Sequence, residues 1–182
     1  SRVDEHLRPV PGTEKEYKCD TLILSVGLIP ENELSLDAGV TLDDRTKGAV
    51  VDEHFQTDVA GIFAAGNVVH DLVDFVSMEA ESLADSAAEF VQKGCLPPCP
   101  IEIGTDSHIN HTVPQRVSGT RDFKLSLRVN SPLKECRIEV RQDGVLVASK
   151  KMKKAIPAEM IELTVKADKL VSMGRLEVSA EC

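Results

Sequence analysis

Two modules are predicted: an α/β unit built around one long helix, then an all-β antiparallel sandwich domain. Three observations predict them. Apolar runs that stop at glycines precede a single amphipathic stripe; the hydrophobic period becomes two beyond three clustered prolines; and the charge changes sign across that boundary. Residues 1–100 carry a net −12, whereas 101–182 carry +3, out of a total of −9. With 42% hydrophobic and 28% charged residues, the 182-residue chain has globular composition. Aromatics are only 3%, so its cores must be aliphatic.

Residues 1–17 are polar and turn-rich, with Pro9, Pro11 and Gly12, and make no core of their own. Thr21 to Val26 is a continuous apolar run ending at Gly27, the pattern of a strand buried on both faces. Ala49-Val50-Val51 and Gly61 to Ala65 read as two further strands. A helix follows over about Phe75 to Lys93. Val76, Ala80, Leu83, Ala84, Ala87 and Val91 share one stripe, which is expected to pack closely against a sheet. Asp74 suits the N-cap and Gly94 the C′ position.

Residues 95–112, with Pro97, Pro98 and Pro100, read as a linker, because proline removes donors and fixes φ. Over 113–182 the alternation is regular: Phe123, Leu125, Leu127 and Val129; Cys136, Ile138 and Val140; Ile161, Leu163 and Val165; Leu176, Val178 and Ala180. Asp143-Gly144 is a hairpin signal leading into Val145 to Ala148. These five strands predict a small sandwich or barrel.

Several function classes are excluded or disfavoured. A −12 surface repels nucleic acid. No apolar run approaches the roughly 18–20 residues of a membrane span, and the start does not read as a signal peptide. Five cysteines in no recognisable framework argue for reduced thiols, hence a cytoplasmic location. Cys95 and Cys99 have C-x-x-x-C spacing, and His108 and His111 could be offered as partners. Zinc wants four ligands, and a second close pair is missing, so linker thiols are the expectation and no metal site is assigned. Lys150, Lys151, Lys153 and Lys154 read as lysines that guard a strand edge, although they could bind an acidic partner.

The segment with chemical content is Thr57-Asp58-Val59-Ala60-Gly61-Ile62-Phe63-Ala64-Ala65-Gly66-Asn67. A strand ends at a glycine, and a helix begins several residues later. Such a glycine allows a ligand close to the backbone, and the helix N-terminus offers free N–H groups to an anion. A plain strand–loop–helix would share the pattern.

With Cys19 to Gly27, followed by Pro30-Glu31-Asn32, this segment resembles the FAD-dependent pyridine nucleotide–disulfide oxidoreductase superfamily. Thr57 to Asn67 looks like its second FAD fingerprint, T-x-x-x-G-I-F-A-A-G-D. Residues 66–74 look most like the branch of bacterial amine and amino-acid oxidase-like dehydrogenases. The resemblance implies that residues 18–94 are the carboxyl-terminal part of an FAD-binding, Rossmann-like half, and that 1–17 are the last hairpin of an NAD(P) domain. It implies FAD contacts from Gly27, Pro30, Ala65, Gly66, Asn67, Asp74, Phe75 and Val76. Asn67 stands where the family has an Asp that bonds a ribityl hydroxyl; His70 would be a proton carrier or a solvent-facing residue.

G-x-G-x-x-G and a redox C-x-x-C are both missing from the sequence. The chain therefore reads as a fragment of an FAD-dependent, NAD(P)-linked oxidoreductase, itself inactive and without bound FAD. Its expected partners are the upstream FAD and NAD(P) domains of the same polypeptide, with a second copy or another subunit on the remaining apolar surface. The rival reading is a non-catalytic module whose β domain docks a partner subunit.

Overall fold

The computed structural model describes residues 1–4, 8–23, 30–69 and 76–182. At the amino end Val3 bridges Pro9 in an antiparallel pair, with the Asp4 N–H on the Arg8 carbonyl at 2.9 Å. Thr21, Leu22 and Ile23 do not form the buried strand expected over 21–26. They are irregular and exposed, and residues 24–26 lie outside the described part. A strand apolar on both faces needs neighbours on both sides. Among the described residues the first half offers it no sheet.

Residues 30–69 fold around a small aliphatic core of Val40, Ala49, Val51, Ala64 and Val69. A short helix, α1 (Glu33–Asp37), is tied in by Asn32, whose Nδ2 donates to the Lys47 carbonyl at 3.1 Å. The strands expected at 49–51 and 61–65 shrink to single bridges, Leu42 with Ala49 and Gln56 with Phe63. Local turn chemistry cuts them short. Asp52 Oδ1 accepts the N–H groups of His54 and Gln56, and Phe55 adopts φ 59°, so the ladder turns before it can extend.

Helix α2 (Val76–Lys93) has the expected extent. Gly94, at φ 76°, ends it and donates to the Phe90 carbonyl at 2.7 Å. The orientation differs from expectation. Glu79 and Ser86 are the buried positions, while Val76, Ala80, Ala84 and Val91 of the apolar stripe face outward. The helix is held by its polar edge, and among the described residues no sheet covers its alanine-rich stripe.

The β domain holds strands β1 (Ile101–Thr105), β2 (Ile109–Val113), β3 (Arg116–Val117), β4 (Phe123–Val129), β5 (Leu133–Gln142), β6 (Val145–Ala155), β7 (Ile161–Val165) and β8 (Leu176–Glu181). A five-stranded sheet, β3-β1-β8-β5-β6, faces a three-stranded one, β2-β4-β7. Fully buried Ile101, Leu125, Leu127, Ile138 and Leu176 belong to one core drawn from both sheets. Asp143 and Gly144 take φ 49° and 80°, the left-handed pair that a two-residue hairpin requires.

Two expectations need correction here. β1 and most of β2 lie within 95–112, so the stretch free of regular structure before the domain is 94–100, and the strands begin at Ile101. Gly104 and His111 interrupt the apolar alternation and hide these strands from a period-two reading. The pairing is also not wholly antiparallel, because β1 runs parallel to β8. The four lysines of β6 sit on an edge strand, as expected.

The first half docks on this domain. Val113 enters its core; the Gln115 N–H donates to the Val51 carbonyl at 3.0 Å; and Gln115 Oε1 accepts the Val51 N–H at 2.9 Å. Arg45 caps the carbonyls of Ile109 and Asn110. Residues 94–100, by contrast, are mostly exposed. Limited proteolysis with mass spectrometry should cut there first and leave a stable piece beginning near Ile101, since that piece keeps its core whole. First cuts inside 123–148 would contradict this division.

Candidate functional site

The 57–67 segment forms a tight double turn. The Thr57 N–H donates to the Ile62 carbonyl at 2.9 Å, and its Oγ1 accepts from Val59. The Ala64 N–H returns to the Phe55 carbonyl at 3.0 Å. Ala65 is extended, and Gly66 then swings to φ 69°, opening a 3-10 turn over Gly66–Val68.

Only glycine suits position 66. The conformation is left-handed, and a Cβ there would lie 2.7 Å from Val76 Cγ2. The Gly66 N–H donates at 2.9 Å to Oε2 of buried Glu79. At the other end of the helix, Phe63 and Phe90 meet edge to face at 6.0 Å, and the Phe90 ring packs on Gly61. Loop and helix are thereby locked together at two points.

Of the positions singled out in the sequence, Ala65, Gly66 and Val76 come together at this junction. Asn67, half-buried, sits within the 3-10 turn. Pro30 is half-buried ahead of α1, which Asn32 ties to the 43–48 turn rather than to this loop. Gly27, His70, Asp74 and Phe75 lie outside the described residues. Two participants escaped the sequence reading. They are Glu79, which nothing in its local sequence marks, and Gly48, on which a Cβ would lie 2.0 Å from the Val69 carbonyl oxygen.

A cleft of about 500 Å³ opens between α2 and the β domain. Glu79, Glu81, Asp85 and Glu89 line its helix side, with Arg121 and Lys124 opposite. At one end lies a buried polar group. Glu53 Oε1 accepts from Ser118 Oγ at 2.6 Å and faces Arg121 Nε at 3.2 Å. Arg121 Nη2 reaches both the Glu53 carbonyl, at 3.0 Å, and His54 Nδ1, at 3.2 Å. Burial, and then the Arg121 cation, hold His54 below the usual imidazole range. Burial raises the Asp52 carboxyl. The neighbouring Cys99 thiol is pushed up to about 12, first by burial and then by Asp52 and Glu53. Such a thiol is a poor free nucleophile. Cys95 is exposed, and His111 belongs to a different recess with Asn110 and Gln115, so the pairing of both cysteines with His108 and His111 is not what forms.

Residues 2–90 match the family described as pyridine nucleotide-disulphide oxidoreductase. That stretch of the chain is similar to the pyridine nucleotide–disulfide oxidoreductase superfamily. Members of this superfamily use FAD and NAD(P). A dihydrolipoyl dehydrogenase of Manduca sexta is 41% identical over 61 residues, which are 32% of this chain and 12% of that protein. Mitochondrial dihydrolipoyl dehydrogenase of Caenorhabditis elegans is 42% identical over 59 residues, with the same two shares. The ferredoxin reductase component of a chlorobenzene dioxygenase from Cupriavidus sp. (strain PS12) is 25% identical over 108 residues, 54% of this chain and 26% of that protein. The matches thus span about a quarter or less of those proteins. No solved structure matches the chain. Among the described residues, no helix is long and apolar enough to cross a membrane.

Proposed function

We propose that residues 18–94 form one wall of an FAD site in a larger, NAD(P)-linked cytoplasmic oxidoreductase. The phosphate-binding turn and the nicotinamide domain would come from residues beyond these 182. The carrying observation is the left-handed turn at Gly66, butted against the first turn of α2. That contact fixes the Gly66–Asn67 backbone beside the start of α2, the end of a helix that suits an anionic group of a nucleotide.

The residues present suit one edge of such a cofactor. Gly66 makes the turn possible, and Asn67, half-buried, carries an amide that both accepts and donates. Glu79 consumes the Gly66 N–H, so it orients the loop and leaves Asn67 as the polar contact. When bound, FAD supplies the hydride acceptor that neither thiols nor imidazoles here could replace. The outward apolar stripe of α2 is consistent with a covering layer supplied by the rest of the polypeptide. All five cysteines are free thiols, as a cytoplasmic setting allows.

The test compares two preparations. The 182-residue chain alone should purify colourless and fail to bind FAD, because half a dinucleotide site lacks its pyrophosphate anchor. The full polypeptide should purify yellow. A flavin-free full polypeptide would favour the rival reading, a non-catalytic module that docks a partner subunit through its β domain.

A further inference from the structure

Cys99 converges on the neighbours Glu53 and His54, which lie in a distant part of the chain. Their donor atoms all lie within 4.8 Å of one another, and His54 Nε2 stands 3.8 Å from Glu53 Oε1. Glu53 and His54 are 9% and 2% exposed, and Cys99 is half-buried. Two atoms of the cluster are left over. Glu53 Oε2 and His54 Nε2 have no hydrogen-bond partner among the described residues. Buried polar atoms are rarely left that way, so two of them in one cluster call for an occupant.

We propose that Glu53, His54 and Cys99 form a binding site for a thiophilic divalent cation of the zinc type. The donor set of carboxylate, imidazole and thiolate is one that zinc takes. Ligand edges in a zinc tetrahedron run roughly 3.3–3.8 Å, so the cluster tightens by about 1 Å on binding. Asp52 adds a second carboxylate beside Cys99, while Arg121 and Ser118 hold the other oxygen of Glu53, leaving Oε2 for the ion. Binding through Nε2 places the imidazole proton on Nδ1, so Arg121, whose side chain is 47% exposed, lets go of that nitrogen. Cys99 gives its thiol proton to solvent. Asp52 and Glu53 also line the cleft, which provides the entry path. The site stands whether or not residues 66 and 67 touch a flavin.

The full chain should be titrated with Zn²⁺ against a chromophoric chelator, and with Co²⁺ under absorbance. One equivalent of Zn²⁺ should bind, and Cys99→Ser and Glu53→Gln should each weaken it at least tenfold. The cobalt adduct should show a thiolate charge-transfer band that survives Cys95→Ser and disappears in Cys99→Ser. Far-UV circular dichroism identifies a variant that fails to fold, and Cys99→Ala then replaces Cys99→Ser. Failure of the chain to compete with the chelator, or a charge-transfer band that persists without Cys99, would overturn the site.

Discussion

Replacing Gly48 by alanine should destabilise the first half by about 3 kcal/mol or more. The added Cβ would sit 2.0 Å from the Val69 carbonyl oxygen and 2.3 Å from its carbon. Those are backbone atoms, which cannot rotate away as a side chain can. They are further fixed because the Ala49 N–H donates to the Val68 carbonyl at 2.8 Å and the Val69 N–H to Gly66 at 2.9 Å. Relief would therefore open the small core around Ala49, Val51 and Val69 and loosen the turn that begins at Gly66. Native-state hydrogen exchange reads this directly. The amides of Ala49 and Val69 should lose protection, while those of Leu125 and Ile138 keep theirs. Unchanged protection at Ala49 would mean that the two segments do not meet this closely.

The β domain has its own sensitive point at Gln142, which is wholly buried at the end of β5. Its Oε1 accepts the N–H groups of Val171 and Ser172, and its Nε2 donates to the carbonyls of Ser172 and Gly174. One side chain thus pins the loop that leads into β8. Gln142→Leu keeps the volume but removes all four bonds. At about 0.5–1.5 kcal/mol net for each bond, moderated because the loop can turn to water, the loss should be about 2–4 kcal/mol. For a chain of this size that lowers Tm by roughly 5–15 °C. A thermal melt that does not move would show that water replaces the amide at no cost.

What the sequence made legible follows its periodicity. Phe123 to Val129 alternates without interruption, and the strand occupies those residues. Asp143-Gly144 carries its turn in its own backbone preferences. The helix stops where Gly94 said it would. Legibility failed where tertiary context decides. The apolar stripe of α2 identified a helix correctly but not the edge by which it is held. Glu79 is buried because Gly66 presents an N–H to it, a reason thirteen residues away. The turn chemistry of Asp52 outweighed the strand propensity of Ala49 to Val51, and Gly104 masked β1. At the site, the T-x-x-x-G-I-F-A-A-G pattern marked the Gly66 turn, but nothing in the local sequence joined Cys99 to Glu53 and His54. Their meeting depends on how 94–100 returns from the helix to the sheet.

The central claim is that the Gly66–Asn67 turn faces a flavin, and FAD dissociation from the full polypeptide tests it most directly. Fluorescence recovery on dilution would compare the wild type with Asn67→Leu and Asn67→Asp. Loss of a neutral hydrogen bond costs about 0.5–1.5 kcal/mol, and more if a buried partner is stranded; 1.4 kcal/mol is tenfold in affinity. Asn67→Leu should therefore release FAD roughly tenfold more readily or worse, whereas Asn67→Asp, which restores the acid of the family pattern, should retain it. Equal retention by Asn67→Leu and the wild type would place this turn away from the flavin and contradict the account.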